Sequence, residues 1–218
     1  MTCTSHTLVK NGMPFIGKVL EQVQPYMSQM LITISNKSTD GTWDEIQKIK
    51  MKYPKKVDID IEDVRSPGEL TEEENKMLRK STGDWILFLS DDDYWPQDQL
   101  KLCIGELDKN PDILAYSVSP YQLIDWGHYD NSWRNKSFSK FFRREGSQYI
   151  RPWPRDLIAD KNGKPLYWKT HSFVKVLPYK FYHLSYMKGH SFRTEEWANE
   201  FRQKIGEPMK LKKPLIVI

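Results

Sequence analysis

The stretch TGDWILFLSDDDYW, residues 82–95, decides the fold because it joins an apolar run to three consecutive acids. WILFLS (85–90) is continuously hydrophobic between Gly83 and the acids, which predicts a central strand buried on both faces of a sheet. Three carboxylates at the end of such a strand repel one another, and burying them is costly unless positive charge is near. A divalent cation is the simplest source of that charge.

Strand and helix patterns alternate before this stretch. SHTLV, LITIS and VDIDI have the composition of strands and begin at residues 5, 31 and 57. Apolar residues at helical spacing follow the first two strands, and in the second helix Trp43, Ile46 and Ile49 are expected to face inward. Further helices are predicted over 70–80 and after Pro96. The alternation predicts an open, largely parallel α/β sheet flanked by helices.

The pattern weakens after Asp112. DILAYSVS, FVKVL (173–177) and FYHLSY (181–186) are strand-like, and 194–206 has the pattern of a helix. We expect residues 96–218 to form a less regular lobe that completes the sheet and covers its ligand crevice. In such sheets ligands bind outside the carboxyl ends of the strands. The loop at 35–42 and the acids at 91–93 should therefore share one crevice.

Composition excludes several classes of protein. A net charge of +4 is too small to indicate nucleic-acid binding. Basic residues are concentrated in 136–155, which predicts either a solvated face or a surface for an anionic ligand or membrane. No apolar run is long enough for a transmembrane segment. The N-terminus lacks a signal-peptide pattern and the two cysteines lie far apart, so a cytoplasmic setting is expected.

Three segments, taken together, resemble a known family. HTLVKNG (6–12), LITISNKSTDGTWDEI (31–46) and ENKMLRKSTGDWILFLSDDDYWP (74–96) are similar, in order and spacing, to segments of family 2 glycosyltransferases with the GT-A fold. The resemblance implies one Rossmann-like GT-A domain over 1–218. Its nucleotide-sugar-binding half would be 1–95 and its acceptor-binding half 96–218.

The resemblance also implies an activity. We expect the transfer of a hexosyl group, with inversion, from a nucleotide-diphospho-sugar to a carbohydrate or glycan hydroxyl. UDP is the expected nucleotide of the donor. Mn²⁺ or Mg²⁺ is the implied cofactor, because a hard cation neutralises a diphosphate leaving group. Two alternatives stay open: a catalytically degenerate domain that binds sugar nucleotides, and a sugar-phosphate nucleotidyltransferase.

The resemblance assigns metal ligands to the acidic stretch. Asp92 would bind the ion with Asp91 as its partner, and His183 would return from the second lobe as an additional ligand. The alternative pair of metal ligands is Asp91 and Asp93. A separate alternative gives Asp93 a structural role as the cap of the helix after Pro96. His171 is the second choice of histidine.

The implied nucleotide-sugar contacts lie in the first half. They are Asn11, Asn36, Asp40, Asp63, Asn75 and Asp91. The chain departs from the family pattern at Ser35, Glu74 and Ser90, where the family commonly carries aspartate, arginine and aspartate. Asp40 has an alternative structural role, because Ser38-Thr39-Asp40-Gly41 has the composition of a turn and helix cap.

The catalytic base is expected in the second lobe, because a carboxylate must reach the acceptor hydroxyl. Asp156, in an aromatic and basic setting, is the predicted base, and its competitors are Asp125, Asp130 and Glu145. Aromatic residues are dense in this lobe and predict either core packing or stacking on sugar rings. They are Trp126, Trp133, Trp153, Tyr167 and Trp168.

Overall fold

The computed structural model describes residues 1–63, 66–125, 128–130, 136–151, 157–185, 187 and 209–210. Its helices are α1 (Ile16–Val23), α2 (Thr42–Lys52), α3 (Pro67–Lys80) and α4 (Gln97–Ile104), with a 3-10 turn at Gln24–Tyr26. Its strands are β1 (Cys3–Val9), β2 (Gln29–Ser35), β3 (Val57–Glu62), β4 (Trp85–Phe88), β5 (Asp93–Tyr94), β6 (Ala115–Leu123), β7 (His128–Asp130), β8 (Phe138–Arg143), β9 (Ser147–Arg151), β10 (Leu157–Asp160), β11 (Val174–His183) and β12 (Met209–Lys210).

One large curled sheet organises the molecule. Strands β3, β2, β1 and β4 lie side by side in parallel, and β8 continues the sheet antiparallel to β4. Strand β6 pairs antiparallel with β8 and parallel with β11. Most of the paired residues in this sheet lie in parallel ladders. The predicted α/β class, a mixed and mostly parallel sheet flanked by helices, is confirmed.

Strand β4 is buried on both faces, as its unbroken apolar sequence predicts. Trp85 and Leu87 join the core that lies against α1, α2 and α4. Ile86 points the other way and packs with Leu78 of α3 and Tyr149 of β9. The β9–β10 hairpin and α3 therefore cover one face of the sheet, and the other three helices cover the opposite face.

The helices differ in how completely they are buried. In α1 the apolar residues at helical spacing are all buried, including Val19 and Leu20. In α2, Ile46 and Ile49 are buried as predicted, but Trp43 is 40% exposed, so the prediction that it faces inward is wrong. Trp43 is the second residue of α2 and lines an open surface depression together with Ile59 and Ile61 of β3.

The second half contains more regular strands than its sequence indicates. The two strand-like runs at 173–177 and 181–186 form one strand, β11, with an irregularity between Val176 and Lys180. The helix predicted over 194–206 lies outside the described residues. Both cysteines are buried and unpaired. Within the described ranges, every helix is too short or too polar to cross a membrane.

Candidate functional site

The acids after β4 form a tight turn that leads into β5. The backbone N–H of Asp93 donates to the carbonyl of Ser90 at 3.1 Å, and the N–H of Ser90 donates to Oδ2 of Asp93 at 3.0 Å. Helix α4 has Pro96 at its N-cap and no side-chain cap. The alternative prediction that Asp93 caps this helix is therefore wrong.

His183 reaches these acids through strand pairing. Strand β11 runs antiparallel to β5, which places His183 directly opposite Asp93. Nδ1 of His183 lies 3.0 Å from Oδ1 of Asp93 and 3.4 Å from Oδ1 of Asp92. The backbone N–H of Leu184 also donates to the carbonyl of Asp92 at 2.9 Å. Two residues that are 90 positions apart in the chain thus meet at the carboxyl end of β4.

The cluster of Asp92, Asp93 and His183 has the shape of a metal site. Each of the three residues offers a ligand atom, and these atoms all lie within 4.8 Å of one another. A divalent ion with ligands at about 2.1 Å places neighbouring ligand atoms roughly 3 Å apart. Two carboxylates and one imidazole therefore fit such an ion in both spacing and chemistry.

The electrostatics of the cluster favour the ionised form of Asp93. Burial on its own would raise the pKa of Asp93, but the charge of Lys140 and the hydrogen bond with His183 lower that pKa to about 2. For His183, burial opposes the charged form, while Asp92 and Asp93 outweigh burial and raise the pKa of the imidazole. The ionised Asp93 therefore lies between two basic groups, Lys140 and His183.

The turn after β1 lies between the acids and the loop after β2. Asn11 has a φ of 53°, and its Oδ1 accepts from the N–H of Thr39 at 2.9 Å. The N–H of Gly12 donates to Oγ1 of Thr42 at 2.6 Å. A Cβ atom on Gly12 would lie 3.2 Å from Oδ2 of Asp91, so this carboxylate faces the turn.

Asp40 links the loop after β2 to the turn after β1 through hydrogen bonds. Its Oδ2 accepts from the N–H of Met13 at 2.9 Å, and its Oδ1 accepts from the N–H of Thr42 at 3.2 Å and from its hydroxyl at 2.5 Å. Partial burial opposes ionisation, but the hydrogen bonds from Thr42 and Met13 lower the pKa of Asp40. The alternative structural role proposed for Asp40 accounts for these contacts, and its contact with a nucleotide stays a prediction.

The other predicted nucleotide contacts differ in position. Asn36 is exposed at the end of β2, with its N–H bonded to the carbonyl of Glu62. Asp63 forms an ion pair of 2.8 Å with Lys37 beside it. Asn75 lies on α3 and bonds to the backbone of β9. For all three, the assigned contact with the nucleotide stays a prediction.

The candidate bases occupy distinct places. Asp156, the predicted base, lies outside the described residues. Asp125 accepts hydrogen bonds from the backbone and ring of His128, and Glu145 is exposed in the turn after β8. Asp130 is buried opposite Gln122, which in turn is paired with His183 in the sheet. Of the described competitors, Asp130 thus shares a row of side chains with the metal cluster.

Aromatic and histidine predictions have mixed outcomes. Trp126, Trp133 and Trp153 lie outside the described residues. Tyr167 is 39% exposed and contacts Trp168. The second-choice histidine, His171, lies 3.4 Å from Asp160 and is not part of the cluster at Asp92.

Sequence reasoning missed Lys140. It lies in the basic run at 136–155, for which a solvated face or an anionic surface was the expectation. Lys140 is instead buried and donates to Asp93. The available signal was its position in FSKFF, where phenylalanines flank it on both sides.

Comparison with known proteins agrees with this architecture. A model of "Glycosyl transferase family 2" matches residues 13–173. No curated protein matches the sequence. Among solved structures, S. aureus TarS matches with a TM-score of 0.57 at 14% identity over 84% of this chain and 36% of that chain. TarS 1–349 in complex with UDP-GlcNAc matches with a TM-score of 0.57 at 13% identity over 92% of this chain and 64% of that chain.

A third structure, TarS 1–349 in complex with UDP, matches with a TM-score of 0.50 at 15% identity, over 66% of this chain and 47% of that chain. This chain therefore spans less than two thirds of the length of these TarS chains. At such low identity the likeness shows the fold, whereas the family model covers most of the sequence. The chain belongs to glycosyl transferase family 2 and has the GT-A fold.

Proposed function

We propose that this protein transfers a sugar from a nucleotide-diphospho-sugar to a hydroxyl of a carbohydrate acceptor, with Mn²⁺ or Mg²⁺ as cofactor. The observation that carries the proposal is the convergence of Asp92, Asp93 and His183 at the carboxyl end of β4. The neighbouring acid, Asp91, faces the turn at Gly12, and in sheets of this kind ligands bind outside the carboxyl ends of the strands.

In this proposal the chain holds the ion through Asp92, Asp93 and His183. When bound there, a divalent ion supplies positive charge to a diphosphate leaving group. Asp91 faces the turn after β1 and remains the predicted partner of Asp92 in ion or ribose binding. Residues 1–95 then form the donor half and 96–218 the acceptor half of one domain.

The donor nucleotide is proposed to be UDP. The support is the likeness to TarS, whose structures are complexes with UDP and UDP-GlcNAc. The exposed Asn36 and the Lys37–Asp63 pair lie at the carboxyl ends of β2 and β3, where a base and ribose would bind. A carboxylate of the second half, Asp156, is proposed as the base of an inverting hexosyl transfer.

Thermal unfolding with UDP and Mn²⁺ tests the proposal. A ligand at a hundred times its Kd stabilises a fold by about 2.7 kcal/mol, which raises the Tm of a chain this size by roughly 5 °C or more. We expect this rise with UDP and Mn²⁺ together, and we expect Asp92→Asn to abolish it. Asp98→Asn is the matched control, because Asp98 is exposed in the first turn of α4.

A panel of UDP-, GDP- and dTDP-sugars with glycan acceptors then tests turnover. Transfer to an acceptor supports the proposal. Binding without any transfer would indicate a degenerate sugar-nucleotide-binding domain. Release of pyrophosphate from a nucleoside triphosphate and a sugar phosphate would indicate a nucleotidyltransferase instead.

A further inference from the structure

Lys140 of β8 is a buried cation beside the metal cluster. Only 6% of its side chain is exposed, and its ammonium donates to Oδ2 of Asp93. The ammonium also lies 5.0 Å from the ring centroids of Phe88 and Phe181. One carboxylate and two aromatic rings thus surround it, which is a favourable environment for a cation.

An irregularity in the pairing of β8 with β6 directs the side chain of Lys140 towards Asp93. Tyr116 pairs with Phe141, but the next residue of β6, Ser117, pairs with Ser139. Lys140 is therefore the extra residue of a β-bulge on β8. Bulges of this kind redirect a side chain and are frequent next to active sites.

Stability alone does not explain a lysine in this place. A buried ion pair costs more desolvation than its attraction returns unless the geometry is excellent, and apolar residues of similar size often stabilise as well. The rings of Phe88 and Phe181 beside it would readily accept an apolar side chain at position 140. The charge therefore indicates a role at the adjacent acids.

The contacts of Asp93 show what that role is. Its Oδ2 accepts from the ammonium of Lys140 and from the N–H of Ser90. Its Oδ1 faces His183 at 3.0 Å. Lys140 thus holds one carboxylate oxygen, and the other oxygen is left pointing at the position where the ligand atoms converge.

We propose that Lys140 is a positioning residue of the metal centre, which holds Oδ2 of Asp93 and so directs Oδ1 towards the ion. This inference rests on the proposed function, because it presupposes that the cluster binds a metal. It adds a residue of β8 to a site that otherwise consists of the turn after β4, the start of β5 and the end of β11.

The test is the affinity for Mn²⁺ alone, measured from the electron paramagnetic resonance signal of free Mn²⁺ without nucleotide or turnover. Lys140→Met keeps the length and bulk of the side chain, and we expect it to weaken Mn²⁺ binding by about 10- to 100-fold, as is typical for outer contacts of metal ligands. Lys175→Met on the exposed side of β11 is the control and should bind as the unmodified protein does.

Each result decides the question. If Lys140→Met has a lower Tm but unchanged Mn²⁺ affinity while Asp92→Asn loses binding, Lys140 is merely structural and this inference is overturned, although the proposed function stands. If the unmodified protein binds no Mn²⁺, the metal dependence of the proposed function fails as well.

A second measurement applies if Lys140→Met does not fold. In a crystal structure of the unmodified protein with Mn²⁺ and UDP, we expect Oδ1 of Asp93 on the ion and Oδ2 on Lys140. An ion bound without Asp93, or with the contact to Lys140 broken, would overturn the inference.

Discussion

Asn75 on α3 and Tyr149 on β9 are joined by a reciprocal pair of hydrogen bonds. Nδ2 of Asn75 donates to the carbonyl of Tyr149 at 2.9 Å, and the N–H of Tyr149 donates to Oδ1 of Asn75 at 3.0 Å. The side-chain amide thus acts as a backbone group of a neighbouring strand. It ties the helix that precedes β4 to the hairpin that covers the same face of the sheet.

We expect Asn75→Ala to lower the free energy of unfolding by about 1–3 kcal/mol, because it leaves two backbone groups of Tyr149 without their partner. Urea unfolding measures the change. Glu72→Ala on the exposed side of α3 is the control and should change stability little, since its ion pair with Arg79 is exposed. Equal stability of the two variants would show that the amide pair is not structural.

His6 on β1 predicts a pH dependence of stability. It is fully buried, and its ring bonds to Ser81 at 2.6 Å and to Tyr149 at 2.9 Å. Burial lowers the pKa of His6 from 6.5 to about 3. Because the unfolded chain gains the proton first, the stability that His6 contributes is present above pH 6.5 and is lost as the pH falls towards 3.

The expected loss is about 1.4 kcal/mol per pH unit, or roughly 2 kcal/mol between pH 6.5 and 5. His183 acts in the opposite direction, because its raised pKa adds stability as the pH falls. The difference in unfolding free energy between the unmodified protein and His6→Gln isolates the contribution of His6. Parallel pH profiles for the two proteins would contradict a neutral buried imidazole.

Gly83 allows β4 to start against β1. A Cβ atom at this position would lie 2.6 Å from the backbone N of Thr4 and 2.9 Å from the carbonyl carbon of Cys3. We expect Gly83→Ala to destabilise the fold by about 1–3 kcal/mol or more, since the backbone must move. Gly68→Ala is the matched control, as no atom lies within 4 Å of its Cβ position, and calorimetry should find it within about 0.5 kcal/mol of the unmodified protein.

Asp40 predicts a link between loop structure and ligand binding. We expect Asp40→Ala to cost about 1–2 kcal/mol, because the N–H of Met13 and the N–H of Thr42 lose their acceptor. We also expect a smaller Tm rise with UDP and Mn²⁺, since the turn that carries Asn11 is loosened. Asp44→Ala, exposed in the first turn of α2, should retain the full rise, and a loss of the rise in both variants would contradict this explanation.

The parallel half of the sheet was predictable because its signals are local. WILFLS is apolar throughout, since β4 is covered on both faces, and the strands before it alternate with amphipathic helices. Strands β7 to β10 were not predicted, because short antiparallel strands with mixed composition resemble loops in sequence. Their pairing depends on partners that are distant in the chain.

The candidate site, like the fold, was predictable only in part. The position of Asp92 at a strand end follows from the sequence, and the resemblance placed His183 beside it. The choice between Asp91 and Asp93 as its neighbour depends on which way each carboxylate turns, and the cluster contains Asp93. The direction of Asp93 is set by its contact with Lys140, which no local pattern encodes.

By itself, the sequence determined the α/β class, the succession of the first four strands along the chain and the acidic end of β4, because periodicity and composition act within a few residues. Tertiary structure alone decided that Lys140 is buried, that Asn75 binds backbone, and that Asp93 of β5 joins Asp92 and His183 in one cluster. Burial and strand register are properties of the packed chain, and a lysine in a basic run becomes a buried ion-pair partner only when a bulge turns it inward.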